Sequence, residues 1–174
     1  MKSIKYSLIL LLLTILAFSC RKIESLPPEP YIEFTNFAVF DTTDILGNSY
    51  KGGKLKFYFE DGDGDLGIPQ PSEGGTEDTI NLFMTLYRKV DGSMIPVADN
   101  DPLKPPGFRI PYMERLGQNK ILKGTIAVTF LYLFYSPDDS AIIKYNFYVK
   151  DRADNQSNTE ATSEISLSVN DVYD

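Results

Sequence analysis

Three aspartates at alternate positions of a glycine-rich segment are the residues whose type and spacing best suit chemistry. They are Asp61, Asp63 and Asp65, in the segment DGDGDLG over residues 61–67, which we call the aspartate loop. Three carboxylates at this spacing can converge on one hard cation such as calcium, because the glycines let the backbone turn around it. Without a cation, neighbouring carboxylates repel one another. The segment therefore predicts a calcium site, with solvated loop acids as the alternative.

The remaining composition excludes several kinds of chemistry. The chain has no histidine and a single cysteine, Cys20, so Ser–His and Cys–His catalysis are excluded and a zinc site would lack its favoured ligands. A formal charge of −7 without a basic cluster argues against nucleic acid as a partner. Glu73, Glu77 and Glu114 could serve a carboxylate-dependent glycan hydrolase, but nothing in their spacing selects a pair. We therefore predict that the protein is not an enzyme.

Period-two alternation of apolar and polar residues dominates the chain after residue 30. It is clearest where Leu55, Phe57 and Phe59 alternate with polar neighbours, and Asp91-Gly92 is typical of a hairpin turn. We predict strands at 31–40, 54–60, 79–89, 93–98, 108–113, 122–135, 141–150 and 162–170. This series predicts an all-β fold, a single immunoglobulin-like antiparallel β-sandwich of about seven to eight strands over residues 31–174.

The predicted sandwich assigns specific places to aromatic residues. Phe57 and Phe147 fall at facing positions of two strands, where antibody domains carry their inter-sheet disulfide. We therefore expect both rings to be buried and to meet in the core. Tyr145 stands where a tyrosine corner would occur, and an ordinary core tyrosine is the alternative.

A second acidic segment, 151–155, follows the strand at 141–150, and we call it the second acidic loop. In an immunoglobulin-like sandwich it would lie at the same end as the aspartate loop. Backbone carbonyls near Leu66 and water would complete a calcium shell of six to eight oxygens. The predicted side-chain ligands are Asp61, Asp63, Asp65 and Asp151, helped by Asp154 and Asn155. Arg152 offers an alternative, in which it neutralises Asp61 or Asp65 without a metal.

Two resemblances follow from these segments. The aspartate loop resembles the D-x-D-x-D calcium loop of EF-hands, but Leu66 replaces the invariant glycine and Ser72 the final glutamate. The segments 57–67 and 145–159 together resemble uncharacterised Bacteroidota lipoproteins with an immunoglobulin-like domain. That resemblance covers most of the chain and implies a fold and an envelope location, but no activity.

The first thirty residues are typical of an exported, anchored protein. Lys2 and Lys5 precede an apolar run that ends just before Cys20, and the run is shorter than the ~20 residues that span a bilayer. We predict a lipoprotein signal peptide at 1–19 and a lipidated Cys20 that begins a Pro-rich tether, residues 20–30; plain cleavage is the alternative. Removal of the leader takes away two lysines, which leaves 15 basic and 24 acidic residues.

We therefore predict a lipid-anchored binding or assembly module of the cell envelope, an outer-membrane lipoprotein facing the periplasm or the cell surface. Its partners would be the membrane, through the anchor, and a protein or glycan, but not nucleic acid. Carbohydrate binding is the alternative, because four aromatic residues fall on the outer phase of their strands. They are Tyr58, Phe83, Tyr87 and Tyr148.

Overall fold

The computed structural model describes residues 25–74, 80–114, 120–136 and 141–174. The described residues form nine strands and no helix: β1 (Tyr31–Thr43), β2 (Ser49–Asp61), β3 (Leu82–Val90), β4 (Ser93–Pro96), β5 (Leu122–Tyr132), β6 (Ile142–Val149), β7 (Glu160–Ala161), β8 (Ile165–Ser166) and β9 (Val172–Tyr173). None of these residues belongs to a helix that is long and apolar enough to cross a bilayer. The predicted signal peptide and Cys20 lie outside the described residues.

The strands form two antiparallel sheets that pack face to face. One sheet has the order β5-β2-β1-β9, and the other has the order β4-β3-β6-β7 with β8 also paired to β6. The second and sixth strands therefore lie in opposite sheets, as the immunoglobulin-like arrangement requires. The predicted all-β sandwich is confirmed.

Aromatic rings from both sheets fill the space between them. Phe57 of β2 and Phe147 of β6 are both 0% exposed, and their ring centroids are 5.4 Å apart. Both predicted positions are confirmed, since alternation along each strand sends these residues inward. Tyr145 is a core tyrosine, because its hydroxyl lies 2.9 Å from the hydroxyl of Tyr132 on the opposite sheet.

The end of the chain differs from the predicted strand at 162–170. Only β8 lies within that range, and it pairs with β6, as does β7 just before the range. Beyond the range, β9 pairs with β1 in the other sheet. Ile165 and Leu167 are buried as expected, but Val169 is 52% exposed. The alternation fails at Val169 because the chain is leaving one sheet for the other.

Three other strand predictions need correction. Residues 108–113 make only isolated bridges, through Phe108 and Pro111, since proline cannot donate to a ladder. The strand predicted at 79–89 begins at Leu82, because the side chain of Asn81 turns inward and accepts the Ile110 N–H at 2.7 Å. The strand predicted at 122–135 ends at Tyr132, and Phe134 beyond it is 74% exposed.

The first two strands form a hairpin longer than predicted, with Thr43 paired to Ser49. Gly52 and Gly53 weaken the strand signal there, since glycine lacks a side chain to pack. In the structure, rings of β1 cover both: a β-carbon on Gly52 would lie 2.5 Å from the Phe40 ring, and one on Gly53 would lie 2.7 Å from the Phe37 ring. The glycines thus admit aromatic rings against the sheet.

Candidate metal centre

Asp61 is placed inside the protein by the same alternation that builds the core. It is the last residue of β2 and shares the inward phase of Phe57 and Phe59, so it is 0% exposed. Its Oδ2 accepts the N–H of Leu66 at 2.5 Å, which closes the aspartate loop on itself. Positive φ angles at Gly64 and Gly67 (71° and 94°) let the backbone make this turn.

The turn brings three carboxylates together. One oxygen each from Asp61, Asp63 and Asp65 lies within 4.8 Å of the others. Among the described residues, Oδ1 of Asp61 and Oδ1 of Asp65 are buried and accept no hydrogen bond. Buried oxygens without donors are costly to a fold and are normally satisfied. The three aspartates therefore converge as predicted, and Oδ1 of Asp61 and Oδ1 of Asp65 remain able to bind a cation.

The electrostatics of the aspartate loop follow from burial and like charge. Burial raises the pKa of Asp65 to about 6, and the charges of Asp151, Asp63 and Asp61 act in the same direction. Burial also raises the pKa of Asp61, and the neighbouring Asp63 acts in the same direction. The N–H groups of Leu66 and Gly64 act in the opposite direction. The loop thus holds negative charge at a site where the protein itself disfavours it.

The second acidic loop lies beside the aspartate loop, as predicted. Leu66 and Asp151 form an antiparallel bridge. Asp151 is 4% exposed, and its carboxylate is bound by its own loop. Oδ1 accepts the N–H groups of Ala153 and Asn155, and Oδ2 accepts the Asn155 amide, all at 2.8 Å. Asp151 therefore adds charge to the site while its oxygens shape the second acidic loop.

The other two predicted ligands lie further along the same loop. Asp154 is exposed, adopts a φ of 65° and lies 3.4 Å from the Lys150 ammonium. Asn155 contacts Asp151 through its backbone N–H, its side-chain amide and its carbonyl, the last accepting the Asp151 N–H at 3.1 Å. Among the described residues, the cluster of converging carboxylates contains Asp61, Asp63 and Asp65. The ligands predicted from the second acidic loop are not members of it.

Arg152 has contacts other than those of the metal-free alternative. Its Nη1 donates to the Gly67 carbonyl at 2.6 Å, and its guanidinium lies 4.9 Å from the centre of the Tyr112 ring. Within the described part of the chain, no salt bridge joins it to Asp61 or Asp65. Arg152 thus fastens the two loops together without neutralising those carboxylates directly.

The described end of the tether, residues 25–30, was not expected at this site. A β-carbon on Gly62 would lie 2.1 Å from the Pro27 carbonyl oxygen and 2.5 Å from that of Leu26. Only glycine permits so close an approach. Sequence reasoning interpreted Gly62 as a flexible turn residue, and no pattern in the tether indicates which of its carbonyls would contact the loop.

The residues considered for glycan hydrolysis or glycan binding lie apart from the carboxylate cluster or outside the described residues. Glu73 and Glu114 are exposed, and Glu77 lies outside the described residues. Phe83 and Tyr148 stack on the outer face of their sheet with centroids 5.0 Å apart, and Tyr87 follows Phe83 on the same phase of β3. Tyr58 belongs to the other sheet, where its hydroxyl donates to Glu60 at 2.9 Å. The four aromatics therefore do not form one platform.

No family model, curated protein or solved structure matches this chain. The resemblance to Bacteroidota lipoproteins stays a prediction. Functional conclusions therefore depend on the geometry of the aspartate loop and its surroundings.

Proposed function

We propose that the protein is a non-catalytic, lipid-anchored binding or assembly module of the cell envelope whose sandwich is stabilised by calcium at the aspartate loop. The observation that carries the calcium site is Asp61, a fully buried carboxylate with one oxygen, Oδ1, that accepts no hydrogen bond among the described residues. A charge in such a place is costly unless a cation compensates it. Asp63 and Asp65 bring two further carboxylates within reach of the same ion.

Calcium suits this donor set better than the common alternatives. All three side chains offer hard oxygens, which calcium and magnesium prefer, whereas zinc prefers nitrogen and sulfur. Magnesium demands a near-ideal octahedron, while calcium accepts irregular shells of six to eight oxygens. An irregular loop with three converging carboxylates fits the calcium requirement.

The envelope location in this proposal comes from the leader and Cys20. A cysteine at the end of a short apolar leader supports lipidation, and two acyl chains suffice for stable anchoring. The acidic composition supports attachment by lipid rather than by charge, since anionic lipids repel it. With no histidine in the chain, the site is better suited to holding an ion than to acid–base catalysis.

Differential scanning calorimetry on the full-length protein in detergent micelles tests the calcium site. If calcium binds only the folded state, a concentration 100 times the Kd adds about 2.7 kcal/mol of stability. For a chain of this size, we expect a melting temperature about 5–10 °C higher in calcium than in EDTA.

Two variants make this test specific. Asp63→Asn should reduce the calcium-dependent rise in melting temperature, because it removes one negative charge from the site. Asp91→Asn should retain it, because Asp91 lies in the exposed β3–β4 turn. An equal rise in Asp63→Asn and wild type, or no rise at millimolar calcium, would refute the proposed site.

A second candidate, glycan binding, is favoured by the stacked pair Phe83 and Tyr148. Phe83 also lines a groove of about 130 Å³ with Lys150 and Asp154, which places polar groups beside an aromatic face, as sugar binding requires. On a glycan array, Phe83→Ala should lose binding that Tyr58→Ala, on the other sheet, retains. Equal binding by both variants would exclude this surface.

A further inference from the structure

Two backbone carbonyls of the tether lie directly against the aspartate loop. The oxygens of Leu26 and Pro27 are 2.5 and 2.1 Å from the position that a β-carbon of Gly62 would occupy. Within the described residues, neither carbonyl accepts a hydrogen bond. Pro30, three residues further on, is buried in the domain, so the tether lies on the loop and then enters the fold.

This contact brings the negative ends of two peptide dipoles to a loop rich in negative charge. Carbonyl oxygens are the negative ends of the peptide dipoles, and here two of them adjoin a loop with three neighbouring carboxylates. The close approach has no compensating N–H donor in the described chain. A cation between the carbonyls and the carboxylates would convert this repulsion into attraction.

The ligand requirement of calcium leads to the same conclusion. Oδ2 of Asp61 is already bound to the Leu66 N–H, so the three carboxylates cannot devote all their oxygens to an ion. Six to eight oxygens are needed, and backbone carbonyls are regular members of calcium shells. The Leu26 and Pro27 oxygens are unused hard donors from a separate segment of the chain.

We propose that the Leu26 and Pro27 carbonyls complete the calcium shell of the aspartate loop, so that the ion ties the membrane tether to the sandwich. This inference rests on the calcium site proposed above. Leu26 is only six positions after Cys20, at most about 20 Å of extended chain. With the ion bound, the acidic end of the domain is held close to a lipid at Cys20. Without the ion, the free tether extends to Pro30, about 35 Å of chain.

Two changes separate the tether from the ion while all three aspartates remain. Gly62→Ala places a methyl group where the tether carbonyls lie, and deletion of residues 25–28 removes those carbonyls. Each change should weaken calcium binding by about tenfold or more, the scale on which supporting groups of metal sites act. Combined, they should have no greater effect than either alone, because both act through the same contact.

Isothermal titration with calcium chloride on the full-length protein in micelles measures the Kd. Glu29→Gln is the control, since it alters an exposed tether side chain but neither carbonyl. Wild-type affinity in both variants would overturn the tether proposal and leave the calcium site intact. Additive losses would also overturn it, because Gly62→Ala would then act on the loop itself. A wild type that binds no calcium would instead refute the site on which the inference rests.

Discussion

The cross-sheet contact between Tyr132 and Tyr145 allows a sharp test of the core. Their hydroxyls lie 2.9 Å apart, and the side chains are 3% and 0% exposed. Each hydroxyl is thus withdrawn from water and has the other as its partner. Removing one hydroxyl leaves the other buried without a partner, whereas removing both leaves an apolar contact of nearly the same shape.

The expected free energies follow from that asymmetry. Tyr132→Phe and Tyr145→Phe should each lower the free energy of unfolding by about 1–3 kcal/mol, the cost of one buried polar group without a hydrogen-bond partner. The double variant should lie within about 1 kcal/mol of wild type, since paired apolar replacement is nearly neutral. Urea unfolding of the full-length protein, followed by far-ultraviolet circular dichroism at pH 7, measures all four values. Tyr31→Phe, an exposed tyrosine, is the control.

The same pair predicts a loss of stability in alkali. Burial raises the pKa of both hydroxyls above the ordinary value of 10.0. A group whose pKa is raised by folding stabilises the protein fully below its unfolded pKa, and that contribution is lost as pH rises above it. Between neutral pH and pH 11, each of these tyrosines should lower the free energy of unfolding by about 1.4 kcal/mol.

The double Phe variant lacks both ionisable groups, so it should lose correspondingly less stability between pH 9 and 11. Additive single substitutions at pH 7 would show that the two hydroxyls do not satisfy each other. Equal alkaline losses in wild type and double variant would show that they are not buried as described.

Three other predictions address the core, the 99–114 segment and the anchor. Phe57→Ala should cost about 3–5 kcal/mol in urea unfolding, whereas Phe134→Ala should change little; equal losses would refute the assigned strand phase. Burial opposes ionisation of Asp101, but its hydrogen bonds and the charge of Arg88 outweigh burial and lower its pKa. The stability that this carboxylate contributes is present above pH 4 and lost in stronger acid. The free energies of unfolding of Asp101→Asn and wild type should therefore differ less at pH 2.5 than at pH 7. A difference that stays constant with pH would contradict the ion pair. An alkyne fatty acid should label wild type and not Cys20→Ser in cells, and equal labelling would exclude lipidation at that residue.

Strands buried on one face are the part of the fold that alternation predicts well. In β6, Ile143, Tyr145, Phe147 and Val149 are all fully buried, because an eight-residue strand in mid-sheet keeps one phase throughout. The segment after Glu160 keeps no single phase, since its short strands pair with different partners in two sheets. Such pairing depends on where the rest of the chain lies, and a local pattern cannot encode it.

The 99–114 segment shows a second limit of sequence reasoning. Apart from the strand predicted at 108–113, no alternation marks this segment, yet Leu103 and Ile110 are buried in the core. Arg88 holds it through a paired contact with Asp101 at 2.8 Å, and Phe108 exchanges two hydrogen bonds with Leu82. These anchors are single residues without a period, so only the tertiary structure identifies them.

For the metal centre, spacing predicted which carboxylates converge but not which oxygens stay available. Asp61 and Asp151 look alike in the sequence, because each directly follows a predicted core strand and opens an acidic loop. In the structure, the Asp151 carboxylate accepts three hydrogen bonds from its own loop, as a structural turn residue does. Asp61 accepts the Leu66 N–H and keeps Oδ1 without a donor in the described chain.

That difference decides where a cation would be needed. The Asp151 oxygens already have three N–H donors within their own loop, so they lack the unmet acceptor that Asp61 retains. Asp61 lies on the inward phase of β2 after Leu55, Phe57 and Phe59, so the local pattern there favours an apolar side chain. Asp61 breaks the apolar pattern of its own strand, keeps an oxygen without a donor in the described chain and belongs to a loop that two tether carbonyls approach. We therefore interpret it as a functional position, because natural sequences depart from local patterns chiefly at such positions. The aspartate loop, more than the second acidic loop, is therefore where we propose that this sandwich binds a cation.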